Sequence, residues 1–300
     1  MARRARFADR AAPQFGEYDF LKRAVSRQMA ERLGDTSHQF EAGLDLGCHL
    51  GSVAKALGAT GKVGAFTGLD LSPAMAKAAS AAGLKARVWD GETLPVAAQS
   101  MDLVASGLSL HWINDLPGIL IQINRALRPD GLFLGALFGA GTLSELRECL
   151  LRAETELTGG AAPRVSPLPG LQDAAGLLQR AGFALPVADT ETLTVRYDTM
   201  FNLLQDLRGM GEQAAFAAGG HPLSRRILER AAAHYAADFS DPDGRIRASF
   251  VVVWLSGWAP ADSQPRPKRP GSATASLAEA VGSTERSAGE KPGRPKPPGR

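Results

Sequence analysis

The chain has 300 residues, of which 44% are hydrophobic and 22% charged, as in soluble globular proteins, and its apolar runs are too short to span a membrane. Its net charge of +3 comes from the two ends: residues 1–10 carry a surplus of +3 and residues 261–300 one of +4, which leaves −4 for the body and argues against nucleic-acid binding. Cys48 and Cys149 exclude a disulfide framework and stand in no zinc-binding spacing, so we expect a cytoplasmic protein without a metal site.

The first element that the sequence predicts is an amphipathic helix. Between residues 19 and 33 apolar side chains recur at spacings near three and four, and Gly34 ends the pattern. Together with the residues around it, this helix is expected to form an N-terminal helical lid over residues 1–42.

Short apolar strands alternate with helices between residues 43 and 140. The predicted strands are GLDL, VGAFTGLD, LKARVWD, MDLVASGL and LFLGALF. Such alternation favours parallel βαβ units. Ser72 is a suitable N-cap with Pro73 in the first helical turn, and RPDG at residues 128–131 is expected to turn the chain into the fifth strand.

Residues 141–260 are predicted to complete the same domain. The pattern gives helices near residues 143–157, 171–181, 199–208 and 223–239, and strands near residues 192–197 and 247–258. The expected fold is therefore a three-layer α/β domain with a mostly parallel seven-stranded sheet. Residues 261–300 are rich in Pro, Gly, Ser and basic residues, so a disordered basic tail is expected there.

Carboxylates end three consecutive predicted strands. In LDLGCHLG the first strand ends at Asp45, just before Gly47 and Gly51, while FTGLD ends in Asp70 and RVWD in Asp90. Open α/β sheets bind ligands outside the carboxyl ends of their strands, so the three acids are placed to recognise a nucleoside. Asp70 can accept from ribose hydroxyls and Asp90 from an adenine amino group.

Two alternatives to this interpretation stay open. A glycine-rich turn after a strand is often only a turn, and an acid at a strand end often caps the next helix, as Asp70 can. A nicotinamide dinucleotide is the other alternative, because an acid about 20 residues after the glycines also belongs to that fingerprint. The turn here reads G-x-x-x-G, however, and Asp45 favours a cationic amino-acid cofactor and would repel phosphate.

The same stretch resembles the first motif of class I methyltransferases, and GLDLSPAM and WDGETLP resemble the two motifs that follow. The resemblance implies a Rossmann-like fold with S-adenosylmethionine as the cofactor. It assigns the cofactor contacts to Asp45, Gly47, Cys48, Gly51, Asp70, Leu71, Asp90, Gly91 and Glu92. His49 stands where the family usually has its middle glycine, so its side chain is expected to narrow the pocket or to reach the cofactor.

Four further stretches resemble a narrower family. RAAPQFGEYDFLKRAV, LSLHWINDLPGIL, YDTMFNLLQDLRGMGE and GRIRASFVVVWLSGWAP are similar to methyltransferase-type assembly factors of respiratory complex I and their bacterial relatives. This resemblance implies a protein client, a complex I subunit, and hydroxylation of an arginine. A more distant likeness, to the malonyl-carrier-protein methyltransferase of biotin synthesis, implies methylation of a carboxyl group instead.

His111 and Trp112 follow the fourth predicted strand, where a substrate would meet the sulfonium of the cofactor. Trp112 can offer its ring face to a cation or a guanidinium, and with the acidic body it favours a basic client. The alternative is that Trp112 is a core residue and His111 a capping or surface residue. Cys48 is interpreted as a small buried residue rather than a nucleophile, because no histidine partner is fixed by spacing. The sequence assigns neither a catalytic residue nor an oligomeric state.

Overall fold

The computed structural model describes residues 1–214, 223–265, 272 and 275–284. Contacts divide the chain into two units, Met1–Asp262 and Ser263–Arg300. The second unit includes one helical turn, Leu277–Ala280. Residues 215–222, between the helices predicted near residues 199–208 and 223–239, lie outside the described residues, as does most of the tail for which disorder is predicted. Disorder of the tail stays a prediction.

The strands and helices follow the alternation that the sequence predicts. The strands are β1 (Phe40–Leu46), β2 (Val63–Asp70), β3 (Lys85–Val88), β4 (Met101–Gly107), β5 (Leu127–Phe138), β6 (Ala184–Tyr197) and β7 (Ile246–Trp258). The helices are α1 (Ala2–Ala11), α2 (Phe15–Tyr18), α3 (Phe20–Gly34), α4 (Ser52–Gly58), α5 (Pro73–Ala81), α6 (Leu116–Ala126), α7 (Ser144–Thr158), α8 (Leu171–Arg180), α9 (Met200–Gly209), α10 (Arg225–Asp238) and α11 (Leu277–Ala280). Short 3₁₀ turns lie at Ala12–Gln14 and Leu110–Trp112.

The predicted seven-stranded, mostly parallel sheet is confirmed, with the strand order β3-β2-β1-β4-β5-β7-β6. Only β7 runs antiparallel to its neighbours, β5 and β6. The order reverses at β1, because β2 lies on one side of it and β4 on the other. Ligands bind at such a switch point in open α/β sheets, and the carboxyl end of β1 is where the glycine-rich turn begins.

Two details of the sheet differ from the sequence prediction. The expected turn at residues 128–131 is a bulge inside β5, since Met101 pairs with Leu127 but Leu103 pairs with Leu132. Asp130, within the bulge, adopts a left-handed backbone conformation with φ of +62°. The predicted strand at residues 192–197 is longer, because β6 starts at Ala184 and pairs with β7 along its length.

Apolar side chains of the sheet alternate between two helical layers. Along β4, Leu103 and Ala105 pack with the side chains of α3 and α4, whereas Val104 packs with those of α6 and α8. This alternation follows from the two-residue period of a strand and produces the three layers. None of the helices in the described ranges has the length and apolar character that crossing a membrane requires. A cytoplasmic location stays a prediction.

The N-terminal helices lie over the carboxyl end of the sheet. On α1 the buried residues Arg4 and Ala8 share a cleft with Gly47 and Asp70. Asp9 fixes this helix to the start of α5, where its carboxylate accepts from the hydroxyl of the N-cap Ser72 at 2.5 Å. The strand β1 begins at Phe40, so the last residues of the range 1–42 predicted as a lid belong to the sheet.

Candidate cofactor and acceptor sites

The turn after β1 requires glycine at position 47. Gly47 has φ of +72°, and a Cβ added there would lie 2.3 Å from the Ser109 side chain. Its N–H donates to the carbonyl of Leu69 at 2.7 Å, which ties the turn to the end of β2. Gly51 has φ of +81° and precedes the first residue of α4. The chain therefore forms a tight turn that brings its backbone to the edge of the cleft.

Asp45 lies fully buried beneath this turn. Its Oδ2 accepts the Ala54 N–H at 3.1 Å, while its Oδ1 has no hydrogen-bond partner among the described residues. Burial raises the pKa of Asp45 to about 6, although nearby Lys22 lowers it. A buried carboxylate oxygen without a donor is costly, and a cationic ligand group would supply the missing hydrogen bond.

Lys22 reaches the same turn from α3. Its Nζ donates to the carbonyl oxygen of Gly47 at 2.7 Å and contacts Nδ1 of His49. Burial lowers the pKa of Lys22, and the charges of Asp45 and Asp70 raise it in part. The sequence analysis missed this lysine. Its position beside Leu21 on the buried face of the predicted amphipathic helix was the signal that could have found it.

His49 occupies the position of the family's middle glycine with φ of +48°. Its ring stacks on Phe15 with the centroids 5.0 Å apart, and it lines the cleft. Burial, followed by the nearby Lys22 cation, holds the pKa of His49 well below its usual value, so the ring is neutral. The side chain thus forms part of the cleft wall, in line with the predicted narrowing.

Asp70 supports the turn as well as facing the cleft. Its Oδ2 accepts the His49 N–H at 2.8 Å, and its Oδ1 accepts the Ser72 N–H at 2.9 Å. Burial raises the pKa of Asp70, whereas these two N–H groups lower it. Leu71 and Trp89 line the cleft beside it. A cleft with apolar walls and a few convergent polar groups is typical of a small-molecule site.

The third predicted acid does not join this cleft. Asp90 is exposed, and its Oδ1 accepts the N–H groups of Glu92 and Thr93. Glu92 is exposed and accepts from Asn114, while Gly91 is buried against the side chain of Met1. The roles of Asp90, Gly91 and Glu92 in binding adenine stay predictions.

Cys48 is fully buried within the turn. Burial raises the pKa of its thiol far above the usual value, which fits a small packed residue rather than a nucleophile. Among the residues that the structure describes, no group of three or more His, Cys, Asp or Glu side chains is arranged to hold a metal.

A second set of side chains meets at Glu212, just after α9. The Nε1 of Trp112 donates to Glu212 Oε2 at 2.8 Å, and Nε2 of His111 lies 3.2 Å from the same oxygen. Arg4 donates to Glu212 Oε1 at 2.9 Å, and its guanidinium carbon lies 4.2 Å from the centroid of the Trp112 ring. Burial raises the pKa of Glu212, but its partners lower it more, to about 2. Glu212 is therefore a carboxylate at neutral pH.

Trp112 separates the cofactor cleft from a larger cavity. This second cavity is mainly apolar, with Leu146, Leu150 and Leu207 in its wall. Glu212 also lines it. The sequence analysis placed His111 and Trp112 near the substrate but missed Glu212. The signal was present, because Glu212 ends the quoted stretch YDTMFNLLQDLRGMGE.

Comparisons with known proteins agree with this geometry. A family model described as a methyltransferase domain matches residues 44–135. The human mitochondrial arginine-hydroxylase NDUFAF5 is 40% identical over 269 residues, 89% of this chain and 78% of that protein. The malonyl-[acyl-carrier protein] O-methyltransferase of Laribacter hongkongensis is 35% identical over 274 residues, 87% of this chain and 89% of that protein.

The chain belongs to this methyltransferase family. A solved structure, the YcgJ protein from Bacillus subtilis, shares the fold with a TM-score of 0.55 at 16% identity and covers 78% of this chain and 98% of its own. S-adenosylmethionine is the cofactor of this methyltransferase. Asp45 lies beneath the glycine turn and is not among the residues that line the cleft, but its unpartnered oxygen suits a cationic amino group, and the turn allows close approach of a ligand.

Proposed function

We propose that this methyltransferase acts on an arginine side chain of a protein client during the assembly of respiratory complex I. The observation that carries the proposal is the 40% identity to an arginine-hydroxylase over 89% of this chain. The chemistry next to the cofactor cleft supports it. An ionised carboxylate and a tryptophan ring face suit a guanidinium, and Glu212 and Trp112 supply both.

In this proposal the chain's residues divide into two groups. Asp45, Gly47 and Asp70 hold the cofactor, which supplies a methyl group on a sulfonium when bound. Glu212 and Trp112 orient the acceptor at the wall that the cofactor cleft and the larger cavity share. Holding two reactants in a fixed orientation is the main way in which such a site accelerates a transfer. Methyl transfer gives a methylated arginine and S-adenosylhomocysteine, whereas a hydroxylated arginine, which the name of the human relative implies, requires in addition an external oxidant such as molecular oxygen with a two-electron donor.

Methylation of malonyl-carrier protein is the second candidate. The 35% identity to such an enzyme over 89% of that protein favours it. The acceptor site does not separate the two candidates by charge, because Glu212 is paired with Arg4 and the larger cavity is also lined by Arg164 and Arg208. The higher identity over a similar share of this chain, 40% against 35%, makes the arginine client the preferred proposal.

Deletion of the gene tests the proposal. The deletion strain is expected to contain less assembled complex I and to lack a modification on one arginine of a complex I subunit, while growth without biotin is unchanged. Mass spectrometry of the subunits separates a hydroxyl from a methyl addition, because the two differ in mass. A biotin requirement together with normal complex I would promote the carrier-protein methyltransferase, and normal complex I without a biotin requirement would overturn both proposals.

A further inference from the structure

One arginine of the chain itself lies where the proposed function places the arginine of a client. Arg4 is 5% exposed, and its guanidinium lies over Trp112 while it pairs with Glu212 at 2.9 Å. Glu212, the carboxylate partner of this guanidinium, is 208 positions away in sequence, more than half the chain. The contact is thus made by tertiary packing of α1 and not by local helix chemistry.

The receiving side of this contact is held in place without Arg4. Trp112 and His111 both bind Oε2 of Glu212, which leaves Oε1 for the guanidinium. Gly211 has φ of +70° and lies directly under α1, where an added Cβ would be 3.5 Å from both Ala8 and Ala11. The carboxylate and the ring therefore form a preorganised receptor for a planar cation.

Arg4 fills this receptor incompletely. Its Nη1 is buried and has no hydrogen-bond partner among the described residues. An unsatisfied buried donor on a charged group costs free energy, so the native contact is weaker than a fully bonded guanidinium would make. A client guanidinium whose donors are all hydrogen-bonded at the same place is expected to bind more tightly than Arg4.

We propose that Glu212 and Trp112 form the binding site for the guanidinium of the client, and that Arg4 is an internal pseudosubstrate which closes that site until a client arginine displaces it. This inference rests on the proposed function and adds its regulation. The helix α1 acts as the plug. It is attached by Asp9 to Ser72 and Ala74 at the start of α5, and Ala8 and Ala11 pack in a small cluster with Met75. Displacement of Arg4 therefore loosens the helix that covers the cofactor cleft and couples client binding to access of the cofactor.

Removal of the Arg4 side chain tests the inference. The variant Arg4→Ala and the matched control Arg6→Ala, an exposed arginine on the same helix, are titrated by calorimetry with N-acetyl-arginine amide in the presence of S-adenosylhomocysteine. A ligand that competes with an internal occupant gains affinity when that occupant is removed, by a factor equal to the reciprocal of the open fraction. We expect Arg4→Ala to bind the probe about tenfold tighter than the wild type or more, and Arg6→Ala to match the wild type.

Two further measurements identify the receptor. N-acetyl-lysine amide, which lacks the planar fork, is expected to bind Arg4→Ala much more weakly than the arginine probe. The added change Glu212→Gln is expected to abolish the gain. Arg4→Met, which retains an apolar stem to pack against the cleft, repeats the test if Arg4→Ala does not fold. Equal affinity of the wild type and both Arg4 variants for the probe, or a gain that survives Glu212→Gln, would overturn the inference.

Failure of this inference and failure of the proposed function give different results. If Arg4→Ala gains affinity for the arginine probe but deletion of the gene leaves complex I unchanged, the site binds guanidinium and the client lies elsewhere. If deletion removes the complex I modification but no Arg4 variant gains affinity, the proposed function holds and the pseudosubstrate is refuted.

Discussion

The Nζ of Lys22 lies 2.7 Å from the carbonyl oxygen of Gly47. This hydrogen bond attaches α3 to the glycine turn and places a buried cation near two buried carboxylates, Asp45 and Asp70. The electrostatics of the cofactor cleft therefore depend on a helix that lies outside all three recognisable motifs. Two of the predictions below follow from that dependence.

Cofactor affinity is expected to fall as the pH falls through 6. The pKa of Asp45 is raised to about 6, so its carboxylate is ionised above that pH and able to accept from a cationic amino group. At one pH unit below the pKa about a tenth of the sites are ionised, and affinity is expected to be about tenfold weaker than at pH 8. Calorimetric titration with S-adenosylmethionine between pH 5 and 8 measures this change in cofactor affinity. A flat profile for the wild type would remove Asp45 from the site, and Asp45→Asn is the control that should be flat.

The raised pKa of Asp45 has the opposite effect on the stability of the protein without cofactor. Ionisation of Asp45, which favours cofactor binding, disfavours folding. Because the folded pKa of Asp45 exceeds its ordinary value of 3.8, the folded state binds a proton more tightly than the unfolded state. Ionised Asp45 therefore lowers the free energy of unfolding above pH 6, and this cost disappears as the pH falls toward 4. Thermal unfolding with and without cofactor separates the two effects.

Lys22→Met is expected to move the midpoint of that affinity profile to higher pH. The ammonium of Lys22 lowers the pKa of Asp45, so its removal leaves the carboxylate protonated over a wider pH range. The matched control is Lys55→Met, an exposed lysine on α4. The same calorimetric titration is used, with the wild type alongside. An unshifted midpoint in Lys22→Met would show that the lysine acts on the turn only through its hydrogen bond to Gly47.

Gly47→Ala is expected to abolish cofactor binding and to destabilise the fold by about 2–5 kcal/mol. The added Cβ meets the Ser109 side chain at 2.3 Å, and the left-handed φ adds about 1–2 kcal/mol of strain. Gly61→Ala is the matched control, because Gly61 has φ of +71° but nothing within 4 Å of an added Cβ. It should show the strain alone with unchanged affinity. Urea unfolding measures the difference, and equal losses would mean that the contact with Ser109 is harmless.

Asp70→Ala and Asp90→Ala are expected to behave differently. Asp70→Ala removes a charged hydrogen-bond acceptor from the cleft and should weaken cofactor binding by about 1.5–3 kcal/mol. It should also lower the thermal midpoint, because the N–H groups of His49 and Ser72 lose their acceptor. Asp90→Ala should weaken cofactor binding with a smaller loss of stability, since its carboxylate accepts the N–H groups of Glu92 and Thr93 but is exposed. Unchanged affinity in Asp90→Ala would refute its predicted contact with adenine.

A chain that ends at Asp262 is expected to retain its thermal midpoint and its cofactor affinity. Residue 262 is the last of the unit that contains the sheet, and the remaining residues are poor in side chains that form a core. Differential scanning calorimetry of the shortened and full-length chains makes the comparison. A drop of many degrees would contradict the prediction of a disordered tail.

The sequence was most informative where the chemistry is local. The alternation of strands and helices and the N-cap Ser72 depend on neighbours within a few residues, and the structure places them as predicted. Asp45 lies within β1 and Asp70 ends β2, and their contacts with the cofactor stay predictions. The prediction of a turn at residues 128–131 was wrong, because a Pro-Asp-Gly sequence fits a strand bulge as well as it fits a turn.

Residues that reach the site from distant elements could not be predicted in the same way. Arg4 and Glu212 have meaning only as a pair, and nothing in either neighbourhood shows that α1 passes over the chain after α9. The sequence around Lys22 is that of an ordinary helix, and only the tertiary structure places its side chain under the turn. Asp90 lies just after β3, where its carboxylate accepts the N–H groups of Glu92 and Thr93, and its contact with adenine stays a prediction.

The Arg4–Glu212 pair also has a consequence for how the protein is made. The two residues are 208 positions apart, so a chain growing on the ribosome completes β1, β2 and the glycine turn long before Glu212 is synthesised. Contacts between distant positions form late because the intervening chain must first be ordered. The contacts of α1 with Ser72 and Met75 become available earlier, so the helix can dock on α5 before Glu212 is made. The Arg4–Glu212 pair is thus expected to lock α1 only at a late step of biosynthesis, separate from its first docking.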